Sequence, residues 1–141
     1  VHYLGYYIKW HPQDVYYYSV ENSDFMPNDH RTEGSFSKYS SLDDKIDWLH
    51  YHTTTIKFGI GRATYDSAQE VRNGDITREE GVALIKRFDG EFPQQYIQDC
   101  CNYMDITMQQ YHDTIEKFRS PHLWHKINGS WELKKPIWRC G

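Results

Sequence analysis

The stretch Lys57-Phe58-Gly59-Ile60-Gly61-Arg62-Ala63-Thr64-Tyr65-Asp66 joins two helical patterns and decides how the chain folds back on itself. Upstream of it, Ile46, Leu49, Thr53 and Ile56 recur at helical spacing and form an amphipathic stripe. Ser41 reads as the start of that helix, with Asp43 and Asp44 in the first turn complementing its dipole. Gly59 is its C-cap, and a second helix is expected from about Thr64 to Arg72, stopped by Asn73-Gly74. Gly59 and Gly61 allow a tight turn and a close approach to the main chain. The following helix directs its unpaired N–H groups to the same place, and Lys57 and Arg62 flank it. The segment has two readings: a cradle for phosphate or pyrophosphate, or an ordinary helix–helix corner with two solvated cations. The cradle reading requires Arg31, Lys57 and Arg62 to share one concave surface.

Working outward, a short helix from Tyr3 to Trp10 is expected to pack on one begun by Pro12, which carries Tyr16, Tyr17 and Tyr18. A long irregular loop covers about residues 23–41 and holds Arg31, Glu33 and Lys38; ordered loops of that length are often functional. Downstream, Thr77 and Glu80 make a capping box ahead of the stripe Gly81, Leu84, Ile85, Phe88, and Asp89-Gly90 ends that helix. Pro93 begins another, with Ile97, Cys100, Cys101 and Met104 inward. Thr107 and Gln110 cap a further helix that buries Met108, Tyr111, Ile115 and Phe118. Asn128-Gly129 is a two-residue hairpin signal, expected to set Leu123, His125 and Ile127 facing Trp131 and Leu133. The fold class is mainly α, a helical array closed by one C-terminal β-hairpin. A single mostly helical domain is expected over residues 1–141, with helices over about 42–118 and the hairpin over about 122–136.

Composition narrows the function classes. Twelve Tyr and five Trp argue against disorder, and 141 residues suffice for one core that buries roughly two-thirds of the unfolded surface. A net charge of −4 disfavours nonspecific nucleic-acid binding. The basic tail (Lys117, Arg119, Lys126, Lys134, Lys135, Arg139) reads as a docking or solvated surface. No apolar run approaches the ~18–20 residues of a membrane span. The chain begins at Val1 with no Met and no leader, and is expected to be the tail of a longer protein. Adjacent Cys100 and Cys101 read as small core residues, Cys140 is expected in a mobile end, and unpaired thiols fit a cytoplasmic location.

Motif chemistry is sparse. P-loop, G-x-S-x-G, H-E-x-x-H and paired C-x-x-C patterns are missing, and Thr64 stands where a dinucleotide fingerprint needs its third Gly. His50 and His52 point apart on a helix, so the histidines read as structural or solvent-facing. Arg31 suits bidentate recognition of phosphate or carboxylate. Asp43 and Asp44 are dipole partners or, alternatively, a cation site. Asp66, Glu70 and Arg72 read as a solvated helix face.

Taken in order, R-T-E-G-S-F-S-K-Y-S-S-L-D-D-K from Arg31, I-K-F-G-I-G-R-A-T-Y-D-S-A-Q-E-V-R-N-G-D-I-T-R-E-E-G from Ile56, F-D-G-E-F-P from Phe88 and F-R-S-P-H-L-W from Phe118 resemble the C-terminal part of bacterial N-acetyl sugar amidotransferases of lipopolysaccharide and flagellin sugar biosynthesis. The resemblance spans nearly the whole chain. It implies the C-terminal region of a larger α/β enzyme of the ATP-pyrophosphatase type. In that reaction ATP activates an acetamido oxygen on a nucleotide-linked sugar, and ammonia displaces the activated group to give an acetamidino group. It further implies ATP and Mg2+ as cofactors, and an ammonia-supplying glutaminase with a synthase-like subunit as partners. The family's S-G-G-x-D-S loop lies upstream of this region, so these residues alone are not expected to hydrolyse ATP. Set against the resemblance, the residue chemistry makes Lys57, Gly59, Gly61 and Arg62 candidates for phosphate contact and Arg31 and Lys38 for closing over substrate. Asp43 and Asp44 are candidates for orienting those cations or a magnesium ion. The alternative is a non-catalytic helical interaction module.

Overall fold

The computed structural model describes residues 1–139. Among them run α1 (Leu4–Tyr7), α2 (Pro12–Asn22), α3 (Ile46–Phe58), α4 (Arg62–Asn73), α5 (Arg78–Phe88), α6 (Ile97–Tyr103) and α7 (Met108–Phe118). An antiparallel pair, β1 (Trp124–Ile127) and β2 (Ser130–Leu133), follows, and a 3-10 turn covers Ile137–Arg139. The chain is therefore mainly helical with one C-terminal hairpin. Cys140 lies outside the described residues.

Local signals place most helix ends. Both capping boxes form: the Thr77 and Thr107 hydroxyls accept from the Glu80 and Gln110 amides, and each of those side chains accepts from the cap residue's own N–H. Gly59 (φ 73°) and Gly74 (φ 85°) adopt the left-handed conformation that ends α3 and α4. The start of α3 is a correction. Ser41 sits at φ 55°, outside helical space, and its hydroxyl bonds Asp47 and Tyr51. The helix begins at Ile46, whose N–H donates to Asp44 Oδ1 at 2.8 Å, so Asp43 and Asp44 precede it and Asp47 occupies its first turn.

α3 is the central element and buries more than one stripe. Leu49 and Ile56 join Ile97, Cys100, Cys101, Tyr111 and Ile115 in the apolar core under α6 and α7, with Phe92, Tyr96, Ile106 and Met108 packed against it. Burial of each such large side chain stabilises by roughly 1.5–3 kcal/mol. Ile46, Met104 and Phe118, expected inward, are exposed. Trp48, Tyr51, His52 and Thr55 are buried as well. His52 Nδ1 lies 2.7 Å from the Tyr111 hydroxyl, and burial lowers its pKa to about 4. It is a neutral structural histidine.

The hairpin corrects one expected face. Asn128 (φ 50°) and Gly129 (φ 84°) form the two-residue turn, which pairs Ile127 with Ser130 and hence Trp124 with Leu133 and Lys126 with Trp131. His125 faces Glu132 instead of an apolar partner. Trp124 is the buried anchor, its indole N–H donating to the Ile56 carbonyl at 2.8 Å.

Candidate functional site

The loop between α2 and α3 is polar yet interior: Thr32, Ser35, Ser37 and Ser40 are all buried. Buried polar groups demand partners, and this loop finds them in other parts of the chain. Within the loop, Thr32 N–H donates to the Ser37 carbonyl and the Thr32 hydroxyl to the Ser40 carbonyl. Two carboxylates from distant segments, Glu91 and Asp66, bind groups of the loop directly, and a third, Asp89, binds the adjoining α4 N-terminus.

Glu91 is the first. Its oxygens accept from Arg31 Nη1 and Nη2 at 2.7 and 2.6 Å and from the Gly34 N–H at 2.9 Å. This is the two-pronged geometry that a guanidinium offers a carboxylate. Burial pushes the Glu91 carboxyl up, but Arg31 and the Gly34 amide together hold it below the ordinary range, while Glu91 in turn raises the Arg31 pKa. Arg31 also lies 4.5 Å from the Phe88 ring centroid. Asp66 is the second: it accepts from the Ser35 hydroxyl and, at 2.8 Å, from Arg62 Nε. The Gly34 carbonyl accepts from Ala63 N–H at 3.0 Å, completing the tie between the loop and α4.

Asp89 is the third. It accepts from Gly61 N–H (2.9 Å), Thr64 N–H (3.1 Å) and the Thr64 hydroxyl. The N-terminus of α4 thus does bind an anion, and that anion is the protein's own carboxylate. Burial raises the Asp89 pKa, and these donors lower it only in part. A Cβ on Gly61 would stand 2.4 Å from Thr55 Oγ1 and 2.7 Å from Asp89 Oδ1, so this close approach requires glycine.

The candidate residues separate accordingly. Arg31 and Lys38 line one hollow of about 580 Å3 with Glu33 and Gln95, and Lys38 Nζ donates to the Asp29 carbonyl. Lys57 and Arg62 line two other hollows that share His50, Thr54 and Phe58. Arg31, Lys57 and Arg62 thus line three different hollows. Gly59 serves as the α3 cap and Gly61 as the close contact beside Asp89. Asp44 is occupied in capping α3, and no group of three His, Cys, Asp or Glu suited to a metal ion occurs among the described residues.

Asp66 and Glu70 overturn the solvated-face reading. Asp66 is engaged as above, and buried Glu70 accepts from Gln13 Nε2 at 3.0 Å, tying α2 to α4. Asp89 and Glu91 were missed as site residues because a D-G-E turn looks like a helix stop. The available signal was an acid on each side of a glycine, within an apolar F-x-x-x-F-P frame.

The three segments joined here contain Arg31–Ser41, Gly61–Asp66 and Asp89–Glu91, far apart in sequence and stitched into one cluster. No curated protein matches the chain. A family model described as LPS biosynthesis protein WbpG-like, C-terminal domain, matches residues 33–137 and includes all three acids of the cluster. No helix among the described residues is long and apolar enough to cross a membrane. With the match running from the polar loop to the end of the hairpin, the chain belongs to the WbpG-like C-terminal domain family of lipopolysaccharide biosynthesis proteins.

Proposed function

We propose that this chain is the C-terminal region of a cytoplasmic, ATP-dependent amidotransferase that converts an acetamido group of a nucleotide-linked sugar to an acetamidino group. The observation that supports this most is the family match over residues 33–137, which assigns lipopolysaccharide biosynthesis to the segments that carry the amidotransferase resemblance. In the proposed reaction the acetamido oxygen attacks the α-phosphorus of ATP, pyrophosphate leaves, and ammonia adds at the activated carbon as AMP departs. ATP and Mg2+ are held by an S-G-G-x-D-S segment that these 141 residues do not contain. Ammonia comes from a glutaminase through a synthase-like partner.

Arg31 and Lys38, which share a hollow, contact the acceptor sugar from the loop. The carboxylate cluster holds that loop in place, so its residues position and do not react.

The test is an assay of the full-length protein with ATP, an ammonium salt and candidate N-acetyl nucleotide-sugars. The expected result is AMP, pyrophosphate and a sugar whose mass reflects replacement of one oxygen by NH. ATP turnover without that product, or no turnover with any acceptor, contradicts the reaction.

One observation favours a second reading, an interaction module. α1 and α2 bury no residue, and Tyr6, Tyr7, Trp10, Tyr17 and Tyr18 are exposed. A full-length protein that is inactive, yet binds a partner through this aromatic face, would select it.

A further inference from the structure

The hairpin does not close flush against the helices. Between it and the α3 and α5 C-termini lies a cavity of about 580 Å3, lined by Trp124, Trp131 and Trp138 and by Arg119, Lys134 and Arg139. That volume is in the range of small-molecule sites. The phosphate-candidate cations Arg31, Lys57 and Arg62 are not among its lining residues.

Two of the rings are fixed in place by their own hydrogen bonds. Trp124 donates to the Ile56 carbonyl, and Trp131 donates to Glu116 at 2.8 Å. Arg119 lies against both, 4.7 Å from the Trp124 centroid and 5.5 Å from that of Trp131. Its side chain is 14% exposed, and its buried Nε has no hydrogen-bond partner. The nearest acid, Glu116, stands 3.7 Å away and also serves Trp131 and, at 3.2 Å, Lys126. A cation this buried and this weakly compensated favours an incoming anion.

The acids on the wall do not supply that anion. Asp89 is turned to Gly61 and Thr64, and Glu132 is exposed on β2. The cavity thus sets the half-buried indoles of Trp131 and Trp138 beside an excess of positive charge. Indole faces stack on planar rings, and guanidinium groups bind phosphate oxygens.

We infer that this Trp-lined cavity binds the nucleoside diphosphate portion of the nucleotide-linked sugar, with the base against the indoles and the phosphates toward Arg119 and Arg139. The inference rests on the proposed reaction for the identity of the ligand and on the cavity for its place. It assigns the hairpin, otherwise only a structural flap, the role of substrate anchor.

The test is isothermal titration calorimetry of the protein with UDP, UDP-N-acetylglucosamine, ATP and inorganic pyrophosphate. UDP and its sugar conjugate are expected to bind, with pyrophosphate weaker by about tenfold or more because it lacks a ring to stack. Trp138→Ala and the exposed-site variant Arg139→Gln are each expected to weaken UDP about tenfold while the melting temperature of Arg139→Gln stays put. Absence of UDP binding to the folded protein, or UDP binding equal to wild type in both variants, overturns the site. Binding of ATP in preference to UDP-N-acetylglucosamine overturns its assignment to the sugar nucleotide. UDP binding in a protein that makes no amidino product defeats the proposed reaction and leaves the cavity standing. Amidination with unchanged KM in Trp138→Ala does the reverse.

Discussion

The two sides of α3 are held by different physics. Toward α6 and α7 the helix buries Leu49 and Ile56 in an apolar cluster, where stability comes from area removed from water. On the other side Tyr51 and Thr55 meet a loop of buried Thr and Ser and the carboxylates Asp66, Asp89 and Glu91. The first side is non-directional and tolerant of exchange between apolar residues. The second is directional: each acid fills specific N–H and O–H positions, and losing one leaves buried donors without partners. One helix thus carries a scaffold on one face and a positioned loop on the other.

The difference is sharpened first by substitutions of large effect. Ile56→Ala, only 2% exposed in the wild type, should cost about 2–5 kcal/mol in denaturant melts. It should lower protection throughout the molecule. Asp89→Ala should cost on the order of 2–3 kcal/mol by leaving the Gly61 and Thr64 donors unpaired. Its effect should concentrate at the α4 N-terminus and the loop. An Asp89→Ala protein as stable as wild type breaks the contrast.

Acidification separates the two sides further. His52 has an ordinary pKa of 6.5 that burial lowers to about 4, so the unfolded chain takes up its proton first as pH falls. Its contribution is complete above pH 6.5 and is lost as pH falls toward about 4, on the order of 3 kcal/mol at about 1.4 kcal/mol per unit. A His52→Gln variant should show a shallower fall of melting temperature across that window. Glu91, depressed below its ordinary value, contributes above that value and loses its contribution as pH drops through its folded-state pKa, with the loop loosening then.

Gly61→Ala should cost about 1–3 kcal/mol, since the added methyl meets Thr55 and Asp89. The smallest effect belongs to Lys45→Ala. That ion pair with Asp99 is solvent-exposed on both sides, so no measurable change in melting temperature is expected.

Features encoded by neighbours in sequence were legible. The Thr77 and Thr107 capping boxes, the Gly59 and Gly74 caps and the Asn128-Gly129 turn each depend on contacts within a few residues. What was misread depends on distant partners. Ser41 has the side chain of a helix cap, but its bonds to Asp47 and Tyr51 hold it in left-handed space. Glu70 follows a helix-surface pattern and is buried because Gln13 arrives from α2. Arg119 resembled a solvated tail residue until two indoles closed on it. The candidate site divides in the same way: the cations stood out as charges, whereas the acids that engage Arg31 and Arg62 lie on other segments or are recognised only in three dimensions.

Glu91 and Asp66, rather than apolar burial, hold the Arg31–Ser41 loop in place. Amide hydrogen exchange on wild type and Glu91→Gln tests it most directly. Protection at Thr32, Gly34 and Ser35 should fall at least about tenfold in the variant, as one charged multi-donor contact is lost, while α6 and α7 keep theirs. Unchanged loop protection, or a uniform loss across α6 and α7 as well, would contradict it.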